Sequence, residues 1–169
     1  MKKLTILLTI LTLSALAHAQ PSQFVAHLTG DEEVPMRDTN ATGQAIFQLV
    51  AGDSQLAFKL IVANVDNVVA SHIHIGPAGS NGPVVAFLFG AVAPGGGRTQ
   101  GVIGEGIIEA GNLVGPLAGQ ALSVLIEALR TGGAYVNVHT NDGVAPTNTG
   151  PGDFPGGEIR GQIRVAGRR

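Results

Sequence analysis

The chain has 169 residues, 44% of them hydrophobic and 13% charged, with 25 glycines, nine prolines, six phenylalanines, one tyrosine and no cysteine. Ten basic residues against twelve acidic ones give a formal charge of −2, which leaves no electrostatic footprint for nucleic acid. The absence of cysteine excludes a disulfide scaffold as well. Residues 1–19 read as a secretory signal peptide: Lys2 and Lys3, an apolar run from Leu4 to Leu16, then Ala17-His18-Ala19. That run is too short to span a bilayer comfortably, and no second hydrophobic stretch follows it. The expected mature chain, 20–169, is a single exported domain, periplasmic or secreted, with no transmembrane segment and with 8 basic against 12 acidic residues.

From there the sequence alternates between short apolar stretches and turn residues. Strands are expected over 24–28, 45–50, 56–62, 68–75, 84–89, 102–109, 134–140 and 158–165. In the third of these Leu56, Phe58, Leu60 and Val62 share one face while Lys59 points to the other, the period of a half-buried strand. Gly- and Pro-rich breaks at 77–83, 94–97 and 141–157 separate the later strands. The last break holds no large residue except Phe154, so it is expected to be either mobile or held by contacts from elsewhere. Eight or so short strands favour an all-β antiparallel sandwich or barrel. One segment departs from the pattern: over 120–130, Leu122, Leu125, Ile126 and Leu129 make the stripe of a short helix. Arg130 lies in its last turn, and Gly132-Gly133 ends it.

Three strands sort aliphatic side chains to one face and hydrogen-bonding groups to the other. His72 and His74 oppose Ile73 and Ile75; Tyr135, Asn137 and His139 oppose Val136 and Val138; Glu158, Arg160 and Gln162 oppose Ile159 and Ile163. If these strands are neighbours, three imidazoles and one carboxylate gather on one polar patch.

The motifs that carry a family resemblance run through the same segments. They are Leu28-Thr29-Gly30-Asp31-Glu32-Glu33-Val34-Pro35, Ala41-Thr42-Gly43, Ser71-His72-Ile73-His74-Ile75-Gly76-Pro77-Ala78, Asn81-Gly82-Pro83-Val84-Val85, Tyr135-Val136-Asn137-Val138-His139-Thr140, and Pro155-Gly156-Gly157-Glu158-Ile159-Arg160-Gly161-Gln162. In this order, from about Phe24 to Arg164, they resemble a CHRD domain, the chordin-type module that also occurs singly in bacterial exported proteins. The resemblance implies an all-β extracellular domain with an immunoglobulin-like or related, Cu,Zn superoxide dismutase-like, β-sandwich. It implies no activity, and growth-factor binding, assigned in chordin to Cys-rich modules, does not transfer. The His72-x-His74 pattern with a later His is also similar to Cu,Zn superoxide dismutases, another β-sandwich family. Only His27, His72, His74 and His139 follow the leader, too few for that two-metal centre.

The leading expectation is a non-enzymatic binding module for an unidentified extracytoplasmic protein or envelope component, its histidines locking adjacent strands through hydrogen bonds. The alternative is a mononuclear Zn or Cu site, or a copper-type redox enzyme, on His72, His74 and His139, with Glu158 completing the set or orienting a ligand. Whether His27 approaches the others is left open. Glu158 and Arg160, two apart on one face, are within reach of pairing with each other or with charges on neighbouring strands, and a structural pair that fixes the last strand is expected ahead of a ligand-binding one. Asp31, Glu32, Glu33 and Asp38, or Asn141, Asp142 and Asp153, offer oxygens for Ca²⁺ without the spacing of a calcium loop, so solvated turns are the expectation. No nucleophile elbow or phosphate-binding loop is present.

Overall fold

β-branched and aromatic residues set out at a period of two give antiparallel strands, and the turns between them fall where glycine, proline or asparagine interrupts. The computed structural model describes residues 22–167; the leader expected over 1–19 lies outside them. The strands are β1 (Gln23–Thr29), β2 (Thr42–Val50), β3 (Gln55–Asp66), β4 (Val68–Ile75), β5 (Val84–Gly90), β6 (Arg98–Ile108), β7 (Ala134–Thr140), β8 (Ile159–Gln162) and β9 (Arg164–Val165). A single α-helix among the described residues, α1 (Leu122–Thr131), precedes β7. All strand pairings are antiparallel, in the order β5-β4-β7-β8-β1-β2-β3-β6, with β9 on β1. The expected all-β architecture with one short helix is therefore present. Its two layers form one hydrogen-bonded path, a flattened barrel that is nearly closed. At the remaining seam the edge strands β5 and β6 come into contact without a ladder.

Inside the barrel Phe24, Phe47, Leu60, Ile73, Val136 and Ile159 are fully buried. The α1 stripe behaves as its spacing requires. Leu122, Leu125, Ile126 and Leu129 are all buried in the core, each contributing about 1.5–3 kcal/mol of apolar burial. The helix ends where Gly132 takes a left-handed conformation (φ 71°) and donates its N–H to the carbonyls of Ala128 and Leu129. No described helix is long and apolar enough to cross a membrane.

The functional interest lies on the outer side of β4, β7 and β8. Every residue of β7 except His139 is buried, on both faces. Val136 and Val138 point into the core, while Tyr135, Asn137 and His139 lie under the loops that follow β4 and β7. The loop over 141–157 is fastened at both ends. Phe154 donates its N–H to Thr140 Oγ1 (2.9 Å), and its carbonyl accepts from Thr140 N–H (3.3 Å). Further in, Asp153 Oδ2 accepts from the N–H and the hydroxyl of Thr149, both at 3.0 Å.

Candidate metal centre

The register of β4 against β7 assembles the site. His72 lies directly opposite Asn137, and His74 opposite Tyr135, so alternation points both histidines to the face that carries Asn137 and His139. The result is a cluster in which one ring nitrogen from each of His72, His74 and His139 lies within 4.8 Å of the others. Ring centroids are 4.8 Å apart for His72 and His139, 5.7 Å for His72 and His74, and 6.3 Å for His74 and His139. The half-exposed Phe87 packs edge-on against His72 at 4.9 Å.

Backbone carbonyls from the two covering loops orient the rings. His74 Nδ1 donates to Gly82 O and His139 Nδ1 donates to Pro155 O, each at 2.8 Å. In neutral imidazole this leaves Nε2 of both rings as a lone pair. His72 Nδ1 then donates to His139 Nε2 across 3.0 Å. Gly82 has no freedom to carry a side chain, since a Cβ there would collide with the carbonyl of Ile75. Its N–H donates to Tyr135 Oη at 3.0 Å.

All three imidazoles are held below their ordinary titration range. His72 is lowered to about 4, chiefly by burial and then by the charges that His139 and His74 would carry. Burial also lowers His74, against the Gly82 carbonyl and the Asn137 side chain, which favour its protonated form; the Arg160 guanidinium adds to the lowering. His139 is lowered by burial in the same way, opposed by its bond to Pro155. At neutral pH the cluster is three uncharged rings, the form that ligates metal.

Behind the triad runs a stack. His74 lies parallel to Tyr135 (centroids 4.8 Å, interplanar angle 11°), and Arg160 Cζ sits 3.4 Å over the other side of that tyrosine. Arg160 is fully buried and donates to Pro77 O and Ser80 O, both at 3.0 Å, and to Asn81 Oδ1 at 3.3 Å. This corrects the expected Glu158–Arg160 pair, which does not form. Glu158 instead accepts from Thr39 Oγ1 (2.6 Å), Thr140 Oγ1 (2.7 Å) and Gly152 N–H (2.8 Å), and it is not part of the three-histidine cluster. Its carboxylate anchors the loop that delivers Pro155 O to His139. His27 is exposed on β1 and also stands outside the cluster.

The acidic turns are not uniformly solvated. Glu33 is buried, with Oε1 unbonded and its carboxylate packed against Gly157; burial pushes its pKa up to about 7, against the favourable pull of the Val34 N–H, Arg160 and Arg37. Asp153 is buried too. Of the others, Glu32 Oε2 accepts from the Gln162 N–H in β8, while Asn141 and Asp142 accept from the N–H groups of Gly143 and Val144 within their own turn.

The segment that builds this barrel and its covering loops is also the segment that a family model recognises: the CHRD domain model matches residues 24–163. The chain belongs to the CHRD domain family. The match starts in β1 and ends just after β8, so all three histidines and both loops that orient them fall inside the CHRD domain. A comparison with curated proteins gave no match.

Proposed function

We propose that this CHRD domain is a binding module whose ligand is a single transition-metal ion, Zn²⁺ or Cu²⁺, held by His72, His74 and His139. The observation that carries the reading is the convergence of three neutral imidazoles, two of them fixed by Nδ1–H bonds to backbone carbonyls so that their Nε2 lone pairs face the cluster. Such second bonds are what set the tautomer and ring orientation of histidine ligands. An all-imidazole donor set suits zinc and copper and is poor for calcium or magnesium. Metal–nitrogen distances of about 2.0–2.1 Å put tetrahedral ligand atoms ~3.4 Å apart. Binding therefore draws the widest pair inward from its 4.8 Å limit. The ion would take the place of the proton between His72 Nδ1 and His139 Nε2, and that proton would pass to His72 Nε2, so that all three rings stay neutral. The export signal read over 1–19 would deliver the module outside the cytoplasm, where the protein should begin at Gln20 by mass spectrometry.

The test is titration of untagged, metal-stripped protein with Zn²⁺ and Cu²⁺, read by competition with a chromophoric chelator. One equivalent bound with micromolar or tighter affinity is expected, about −8 kcal/mol or better. His74→Ala and His139→Ala should each abolish it. A protein that binds neither ion, and whose melting temperature ignores both, would return the triad to a hydrogen-bonded strand lock.

A further inference from the structure

The triad leaves one question of chemistry open, which is what donor stands opposite the three rings. Two buried atoms beside it have no hydrogen-bond partner in the neutral cluster, His74 Nε2 and Asn137 Oδ1, and they could bond each other only if His74 carried a second proton. Their residues are 8% and 3% exposed, so solvent does not meet the deficit. Both atoms are acceptors. His74 Nδ1 already donates to Gly82 O, so Nε2 of the neutral ring is a lone pair, and an amide oxygen has only lone pairs to offer. Leaving one buried acceptor unmet costs about 1–3 kcal/mol, and two acceptors in one pocket also repel each other. A cation between them satisfies both.

The register puts Asn137 in the middle of the cluster. His72 is its direct cross-strand partner, His74 is the diagonal neighbour two residues along β4, and His139 lies two residues along β7 on the same face. Val136 and Val138, its chain neighbours, are in the core, so the amide can only face the histidines.

We propose that Asn137 Oδ1 is the fourth ligand, closing a three-nitrogen, one-oxygen site without any carboxylate. This rests on the metal-binding reading above and specifies it. The site is then a closed, four-coordinate one held entirely by neutral groups on two adjacent strands. Such a site serves to hold an ion, since it keeps no open position for a substrate.

The experiment compares wild type, Asn137→Asp and Asn137→Leu for Zn²⁺ affinity by chelator competition and for Cu²⁺ by electron paramagnetic resonance, with thermal melts of the metal-free forms as a check on folding. Asp presents an anionic oxygen at the same position, and Leu removes the donor while keeping the volume. The expectation is that Asp tightens Zn²⁺ binding and Leu weakens it, each by ~10-fold or more, while both retain one equivalent on the three histidines. The copper spectra of both variants should differ from that of wild type. Equal affinities and unchanged spectra would overturn the assignment. So would tighter binding in Asn137→Leu, which would mean that the amide NH₂ donates to His74 Nε2 and competes with the metal. A second measurement needs no variant: in Co²⁺-loaded wild type the Asn137 side-chain NH₂ protons should be strongly paramagnetically shifted, and unshifted resonances would overturn the proposal. Wild type that takes up none of these ions removes the metal-binding reading and this ligand with it. Wild type that binds while the Asn137 series stays flat removes the ligand alone.

Discussion

The outer side of the sheet is covered by loops over β4, β7 and β8 and open over β1, β2 and β3, where polar and aliphatic side chains mix. Over β1, β2 and β3, His27 faces Gln44 across the strands and lines an open groove of about 400 Å³ with Thr42 and Ile61. Nearby, Lys59 pairs with Glu105 in solvent at 3.3 Å. Over β4, β7 and β8 the same alternation produces His72, His74, His139 and Asn137, but the loops after β4 and β7 lie across them and aim carbonyls at the rings. Strand alternation alone thus leaves its polar groups in solvent, as His27, Lys59 and Glu105 are. Burial by a loop that supplies acceptors turns that surface into fixed, neutral, directed lone pairs.

Arg160 is the sharpest way to break the covered face. Arg160→Ala strands three acceptors and uncovers Tyr135, and should cost on the order of 3–5 kcal/mol in chemical denaturation. His27→Ala on the open face should stay within about 0.5 kcal/mol. Comparable losses at the two positions would erase the contrast. Next comes Glu158→Ala, which should cost about 2–4 kcal/mol by leaving Thr39, Thr140 and the Gly152 N–H without their acceptor. Its metal stoichiometry should remain at one equivalent. If occupancy collapses as in His74→Ala, Glu158 belongs among the ligands after all.

A smaller and pH-dependent effect comes from Glu33. Its folded pKa of about 7 lies above the ordinary 4.5, so the folded state holds the proton more tightly than the unfolded one. The stabilisation from that proton is fully present below about pH 4.5 and is lost as pH rises through 7. Glu33→Gln should therefore gain about 1–3 kcal/mol over wild type at pH 8 relative to pH 4.5. His72 slopes the other way: lowered from 6.5 to about 4, its contribution is present above pH 6.5 and lost as pH falls toward 4. Melting curves of wild type, Glu33→Gln and His72→Gln across pH 4–8 separate the two, and parallel curves would contradict both.

Period-two patterning made much of this legible. The expected strands at 68–75 and 134–140 coincide with β4 and β7, and the stripe of four aliphatics marked α1 to within two residues. The shared face of His72 and His74, and of Tyr135, Asn137 and His139, followed from the same rule. What failed was anything set by long-range register. β6 starts at Arg98, ahead of the apolar run at 102, because β3 continues to Asp66 and pairs with it there. The expected strand over 158–165 is split at Ile163, whose N–H turns away to Ala134 O. Glu158 precedes β8 and turns to Thr39 and Thr140, partners whose nearness no spacing announces. The groups that orient the imidazoles, Gly82 O and Pro155 O, are main-chain atoms and leave no mark on residue identity. The buried state of Glu33 was hidden for a similar reason, since its neighbour is a glycine contributed by a distant loop.

Tyr135 has a consequence of its own. It is the sole tyrosine of a chain without tryptophan, and it lies face to face with the His74 ring while the Arg160 guanidinium covers its opposite side. The near-ultraviolet emission of the protein therefore comes from a chromophore seated at the ring cluster. The molecule carries its own optical gauge there, and the arrival of a quenching ion can be followed without any added label.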